Sequence, residues 1–394
     1  MSENFYPKAE TSLTENFEVA SYIEDEFFRG VEPDSYMSVS DWADEYRVLS
    51  SKSASEPGRW RTARTPYLRE IMDNLSPKSP IQKVVFMKGA QIGGTECGNN
   101  WLGYIMHKAP GPIMAVSPTV EMAKRNSRQR IDPLIEDCPA LKGIVSSPRA
   151  RDKGNTILSK DFQGGVLVMT GANSAVGLRS MPARYLFMDE IDGYPQDIDG
   201  EGDPILLAER RTATFSKRKK IFLVSTPTIK GLSNIEREFE NSDKRYYFVP
   251  CPYCGGFQKL EWAQIRAEDG KAQYECVHCG KLIGEHYKTQ MLANGHWQAT
   301  APSDGLTAGY HLSSLYSPVG WLSWKECVDI FEKTKTNPSL TQGFRNTILG
   351  ETYEAESDAP EWQRLYEKRE TYPIGTIPMG GLFLTAGVDI QKDR

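Results

Sequence analysis

Along its hydrophobic and polar positions the chain shows short apolar runs at residues 84–87, 112–116, 166–170, 185–188 and 220–225, each bounded by glycine, proline or charge. Stretches of helical apolar spacing with polar faces lie between several of them. Short apolar runs alternating with helices predict strands buried on both faces, so the expected core is an α/β fold around a mostly parallel sheet. Upstream, Ser40 followed by an acidic turn predicts a helix start, and residues 67–75 have helical spacing that stops before Pro77. Residues 50–58, rich in Ser, Pro and Gly, read as a linker. A further helix is expected over 323–335. Between 246 and 297 the pattern changes to short strand-like pieces punctuated by Cys and Gly.

Composition narrows the class. Of 394 residues, 39% are hydrophobic and 25% charged, ordinary for a globular chain large enough for more than one domain. No run approaches the roughly 18 apolar residues of a bilayer span. The polar, acidic N-terminus lacks a signal-peptide pattern, so a cytosolic protein is expected. Net charge is 47 − 52 = −5. Basic clusters nonetheless occur at Lys124, Arg125, Arg128 and Arg130, at Arg149, Arg151 and Lys153, and at 217–220. They read as solvated faces or as contacts for a polyanion.

The run 84–87 leads directly into Lys88, Gly89, Ala90, Gln91, Ile92, Gly93, Gly94, Thr95 and Glu96, then into helix-compatible residues. Strand–loop–helix corners of this kind bind phosphates through loop N–H groups and the helix N-terminus. Against the usual Gly-x-x-x-x-Gly-Lys-[Ser/Thr], Gly94 stands where the lysine belongs and Lys88 where the first glycine belongs. The segment is therefore either a glycine-rich turn or a phosphate loop in which Lys88 restores the missing charge. Thr95 keeps the hydroxyl expected on Mg²⁺. The run 185–188 ends in Asp189 and Glu190, which suit an Mg²⁺ ligand and a residue polarising the attacking water. A third run ends in Ser225 and Thr226, either a coupling motif beside the γ-phosphate or a simple turn. Arg179, with Arg184 as rival, is the candidate for transition-state charge compensation, the alternative for either being a plain surface arginine.

Two pairs, Cys251/Cys254 and Cys276/Cys279, are each followed by glycine. The stretch between them is slightly longer than usual but compatible with a hairpin that brings four thiolates to one structural Zn²⁺. The other readings are free thiols, another metal or redox chemistry. Cys97, Cys138 and Cys327 read as buried hydrophobes.

In this order the deviant phosphate loop, the acidic run at 188–195, Ser225-Thr226-Pro227, the cysteine knuckle and residues 308–318 resemble the large subunit of a lambda-like phage DNA-packaging terminase. The likeness runs from about Trp42 to the last residue. It implies a RecA/ASCE-type P-loop ATPase with ATP and Mg²⁺, an inserted zinc-ribbon-like lobe, and the start of an RNase H-like nuclease whose first metal-binding carboxylate is Asp389. The implied division is an N-terminal arm (1–50), the ATPase domain (51–245), the lobe (246–300), a connecting region (301–380) and the first nuclease strand (381–394). Tyr67, in the family's adenine-contacting segment, could stack on a base, although Leu68 replaces the usual glutamine. The implied partners are double-stranded DNA, a small terminase subunit and the portal of a procapsid, acting in the host cytoplasm as a ring on the portal and without a membrane. The competing readings are another nucleic-acid-dependent ATPase or helicase, and a non-enzymatic zinc-ribbon scaffold that binds DNA.

Overall fold

The computed structural model describes residues 37–52, 54–145, 155–337 and 339–354, with isolated positions elsewhere. Asp389 and its strand, residues 1–23, and the basic cluster Arg149, Arg151 and Lys153 lie outside the described residues.

Apart from the short antiparallel pair Val48–Leu49 and Gly58–Arg59, the strands, numbered in chain order, are β1 (Lys83–Lys88), β2 (Ile113–Ser117), β3 (Ser159–Phe162), β4 (Gly165–Gly171), β5 (Tyr185–Asp189), β6 (Lys220–Ser225), β7 (Arg245–Pro250), β8 (Phe257–Lys259), β9 (Ile265–Glu268), β10 (Lys271–Glu275), β11 (Leu282–Gly284), β12 (His296–Ala299) and β13 (Thr307–Leu312). The helices that matter below are α1 (Val39–Tyr46), α2 (Leu68–Asn74), α3 (Gly94–Lys108), α4 (Val120–Asn126), α5 (Asn234–Glu240) and α6 (Trp324–Thr336). All five apolar runs are strands of one sheet ordered β8-β7-β13-β1-β6-β5-β2-β4-β3, with β12 also paired to β7. From β7 to β4 neighbouring strands are parallel, and β3 closes the edge antiparallel to β4. β1, β5 and β6 are almost wholly buried, as continuous apolar runs between two helical layers must be. Two apolar clusters cover the sheet, one including α1–α3 with Trp42 and Trp101, the other including α5 with Phe239.

Several expectations shift. The helix cap is Ser38, whose hydroxyl accepts from the Asp41 amide; Ser40 lies inside α1 and is buried. Trp42 is fully buried, so this part of the expected N-terminal arm belongs to the core. The α6 cap is as expected at Ser323, with Glu326 closing a capping box. The expected connecting region 301–380 contributes β13, which pairs with β1 along six residues. Its residues Ala308, Tyr310 and Leu312 are fully buried, and that burial places the segment inside the sheet. The lobe expected over 246–300 is also smaller, because β7, β8 and β12 join the main sheet and only β9–β11 form a separate one.

Candidate nucleotide corner and cysteine cluster

Parallel register brings Lys88, Asp189 and Ser225 to one edge. Ser225 pairs beside Met87 and Asp189 beside Val224, so all three close at the C-terminal ends of adjacent strands. That edge is where open α/β sheets bind ligands.

The loop after β1 turns through Gln91 (φ 57°) and Gly93 (φ 89°) before α3 begins at Gly94. Ile92 is buried and Gln91 exposed. A Cβ on Gly94 would sit 2.5 Å from Lys88 Cε and 2.7 Å from its Cδ. The aliphatic stem of Lys88 therefore runs through the volume that a side chain at 94 would need. Gly94 is the gap through which the other lysine passes, and the two departures from the usual motif are one geometric arrangement. Lys88 is buried, and its Nζ lies 3.9 Å from Glu190 Oε1.

Asp189 is buried, with Thr95 Oγ1 3.5 Å from its Oδ1. Burial first, then the charge of Glu190, push its carboxyl up from 3.8 to about 6, while Lys88, the Thr95 hydroxyl and Arg130 pull it down. Glu190 follows with φ 55° and ψ 51°, a left-handed conformation that costs a non-glycine residue about 1 kcal/mol or more. Its amide donates to Val224 O at 2.8 Å, which fixes the bend and turns the carboxylate out of the strand line.

Ser225 and Thr226 take parts that spacing alone does not suggest. The buried Ser225 hydroxyl accepts from the Asp192 amide at 3.2 Å and donates to Thr226 O at 3.0 Å, so it ties the acidic strand end to the third strand. Asp192 then accepts from Thr228 Oγ1 at 2.8 Å and from the Ile235 amide at 2.7 Å. Sequence reasoning missed Asp192, although it stands in the quoted acidic run.

The floor of the loop comes from far along the chain. The Gly89 amide donates to Leu312 O at 2.8 Å and the Ala90 amide to Thr347 O at 2.6 Å. Ser314 Oγ lies 2.9 Å from Ala90 O and 3.1 Å from Thr347 O. A Cβ on Gly89 would meet Ser314 Oγ at 2.4 Å, so only glycine lets the loop settle there. Asn346, in the π-helical segment Phe344–Leu349, donates to Thr228 O at 2.6 Å. One segment thus touches both the phosphate-type loop and the loop after β6.

Three expected site residues stand elsewhere. Tyr67 is fully buried between elements, edge-on to Tyr247, and its carbonyl accepts from Trp297 Nε1 at 2.8 Å. It is a core residue with no face open for a base; its neighbour Leu68 is the one that reaches Gly93. Glu96 is held by Arg47 at 3.0 Å and Arg130 at 2.9 Å, a structural ion-pair cluster on the first turn of α3. Arg179 pairs with Glu201 at 3.0 Å rather than with the acidic strand end. Its rival Arg184 precedes β5, at the opposite end of that strand from Asp189. Arg130 lines a small cavity with Thr95 and Asp189, a position that its place in a basic cluster did not reveal.

The four paired cysteines converge. Their sulfurs all lie within 4.8 Å of one another, with Cys251–Cys279 and Cys254–Cys276 both at 3.9 Å. Ligand bonds of about 2.3 Å in a tetrahedron put sulfurs about 3.8 Å apart, so the donor set fits a single ion and could hold a metal. The two knuckles repeat one construction. The Tyr253 and His278 amides each lie 3.4 Å from the first sulfur of their knuckle, and Gly255 (φ 74°) and Gly280 (φ 67°) make the left-handed turn. The His278 ring binds Phe257 O at 2.8 Å and stays out of the cluster. Cys97, Cys138 and Cys327 are buried singly.

Residues 54–297 match the family described as phage terminase large subunit gpA, ATPase domain, and residues 307–394 match terminase large subunit gpA, endonuclease domain. The terminase large subunit of Enterobacteria phage P21 is 29% identical over 90% of this chain and 58% of its own length; that of Escherichia phage lambda is 28% identical with the same coverage. The chain thus spans 58% of the length of these relatives. The crystal structure of the HK97 bacteriophage large terminase is similar in fold, with a TM-score of 0.50 at 11% identity over 80% of this chain and 56% of that one. No helix among the described residues is long and apolar enough to cross a membrane. With a buried lysine threaded past Gly94, an acidic strand end beside it and a family match over most of its length, the chain belongs to the phage terminase large subunit family of the gpA type.

Proposed function

We propose that this chain hydrolyses ATP to drive double-stranded viral DNA into a procapsid. The observation that carries the reading is the Lys88 stem lying across Gly94, with its ammonium 3.9 Å from Glu190. In a RecA/ASCE-type site, loop amides from Gly89 to Thr95 would cradle the phosphates, and Lys88 would supply the charge that Gly94 cannot. Thr95 and Asp189 are the residues that would hold Mg²⁺, whose charge offsets that of the phosphates. Glu190 would orient and polarise the attacking water. Ser225 and Thr226 would carry changes at the γ-phosphate position into the Asp192 loop. Arg179 would compensate transition-state charge only after leaving Glu201, and being half exposed it suits a neighbouring subunit's site in a ring.

The sheet supports a motor domain that runs on to Tyr353, because β13 and Ser314 complete the loop's floor. The cysteine cluster is read as a structural Zn²⁺ site in a zinc-ribbon-like lobe, where four thiolates would leave no coordination position for a reacting water and so no catalytic chemistry. Asp389 is read as the first carboxylate of an RNase H-like nuclease. A small terminase subunit, the portal and the procapsid are the partners that fit this role, in the host cytoplasm. DNA-stimulated ATP turnover tests the proposal. Glu190→Gln should remove it while leaving nucleotide binding, and a turnover equal to that of the wild type would overturn the assignment.

A further inference from the structure

One group of side chains lies apart from the nucleotide corner and has no part in it. Lys78, Arg184, Lys217, Arg218, Lys219 and Lys220 line a groove of 260 Å³, and among the described residues no acidic one lines it with them. They come from three loops that enter the sheet at the N-terminal ends of β1, β5 and β6. Lys217 and Arg218 are exposed, and among the described residues neither these two nor Lys219 has an ion-pair partner. Lys220 forms the buried base of the groove, donating to Asn74 O at 3.1 Å and Ser79 O at 2.7 Å. Burial, and to a lesser degree the charge of Arg184, lower its ammonium to about 7. In a chain of net charge −5, three cations side by side at 217–219 without an ion-pair partner among the described residues form a local positive patch.

We infer that this groove seats backbone phosphates of double-stranded DNA, at the opposite end of the sheet from the nucleotide corner. The inference rests on the motor reading for its choice of polyanion. Its chemistry stands on the groove: lysine and arginine converging from separate loops recognise phosphate by charge, without reading bases. A six-residue strand is about 20 Å long, so cations here can grip the track without entering the chemistry at the far end of β6.

The test is fluorescence anisotropy of the intact protein with a labelled duplex of random sequence, alongside ATP turnover. The variant is Lys217→Ala/Arg218→Ala/Lys219→Ala, and the control is Lys271→Ala/Lys335→Ala on remote surfaces. The triple variant should bind at least about 10-fold more weakly near 100 mM salt, with a salt slope shallower by about 2 to 3, one contact per cation removed. Its ATP turnover without DNA should be unchanged and its stimulation by DNA reduced, while the control stays near wild type. Unchanged affinity and slope in the triple variant, or loss of binding to an acidic peptide in place of the duplex, would overturn the inference. If the wild type is stimulated by DNA and the triple variant equally so, the groove fails alone. If the wild type neither hydrolyses ATP nor binds duplex, the motor reading fails.

Discussion

The cysteine cluster and the nucleotide corner are both places where the chain brings charge or sulfur to a point, yet they are built in different ways. Each cysteine knuckle is a local turn, closed by its own glycine and its own N–H contacts to sulfur, and the second knuckle follows the first after a short stretch. The nucleotide corner has almost no local closure. Its loop rests on Leu312, Ser314 and Thr347, more than two hundred residues away, and its acidic wall hangs on Val224 and Ser225. A locally built site should tolerate disturbance of the sheet and fail when its ion is removed. A site built from distant parts should behave in the opposite way.

The comparison is tested most severely at Lys88. Lys88→Ala should lower ATP turnover by about 10³-fold, as loss of a transition-state charge contact does. Gly94→Lys alone should also be inactive, because its side chain would occupy the Lys88 stem. The double variant Lys88→Ala/Gly94→Lys should regain part of the turnover. Failure to do so would mean that the stem's route past Gly94 is packing and not a displaced charge. Next comes chelation of the cysteine cluster. Structural ions of this kind contribute on the order of 10 kcal/mol to folding, so a chelator should lower the melting temperature and open residues 251–284 to hydrogen exchange. Nucleotide binding should persist, and its simultaneous loss would show that the two regions are not separable.

The same contrast explains what could be read from sequence. Strand runs and the knuckles depend on nearest neighbours in the chain, and all five runs are strands. Gly94 and Lys88 could be named, but not the single path that joins them, because that depends on how α3 sits against β1. Tyr67 was misplaced for a related reason. Its motif position suggests a base, whereas Tyr247 and Trp297, on strands far away in sequence, enclose it. β13 was missed because Thr307–Leu312 carries its burial in small and aromatic residues rather than in a clean apolar run. Asp192 had a visible signal, a second acid after the strand end, but its three partners are tertiary.

Smaller effects should follow at the floor of the loop. Ser314→Ala removes contacts to Ala90 O and Thr347 O. The carbonyls are only partly buried and Thr347 O keeps the Ala90 amide as a donor, so the loss is that of one ordinary hydrogen bond, about 0.5–1.5 kcal/mol. Because the loop positions phosphates, the loss should be read as a KM for ATP raised up to about 10-fold with kcat little changed. An equal fall in kcat with KM unmoved would place Ser314 in the chemical step instead.

The smallest effect is expected from protons at Asp189. Its carboxyl, raised from 3.8 to about 6 by burial and then by Glu190, keeps a proton in the folded protein that the unfolded chain has already released. Between those two values the folded state binds more protons, so without Mg²⁺ this group's contribution to stability falls as pH rises through the window. An ion bound between Thr95 and Asp189 requires the carboxylate, so the sign for the ion is reversed, and Mg²⁺ affinity should climb as pH passes about 6. Melting curves from pH 5 to 7.5, with and without Mg²⁺ and nucleotide, should therefore diverge towards the alkaline end, and Asp189→Asn should remove the divergence. Curves that stay parallel across the window would place the ion's ligands elsewhere in the corner.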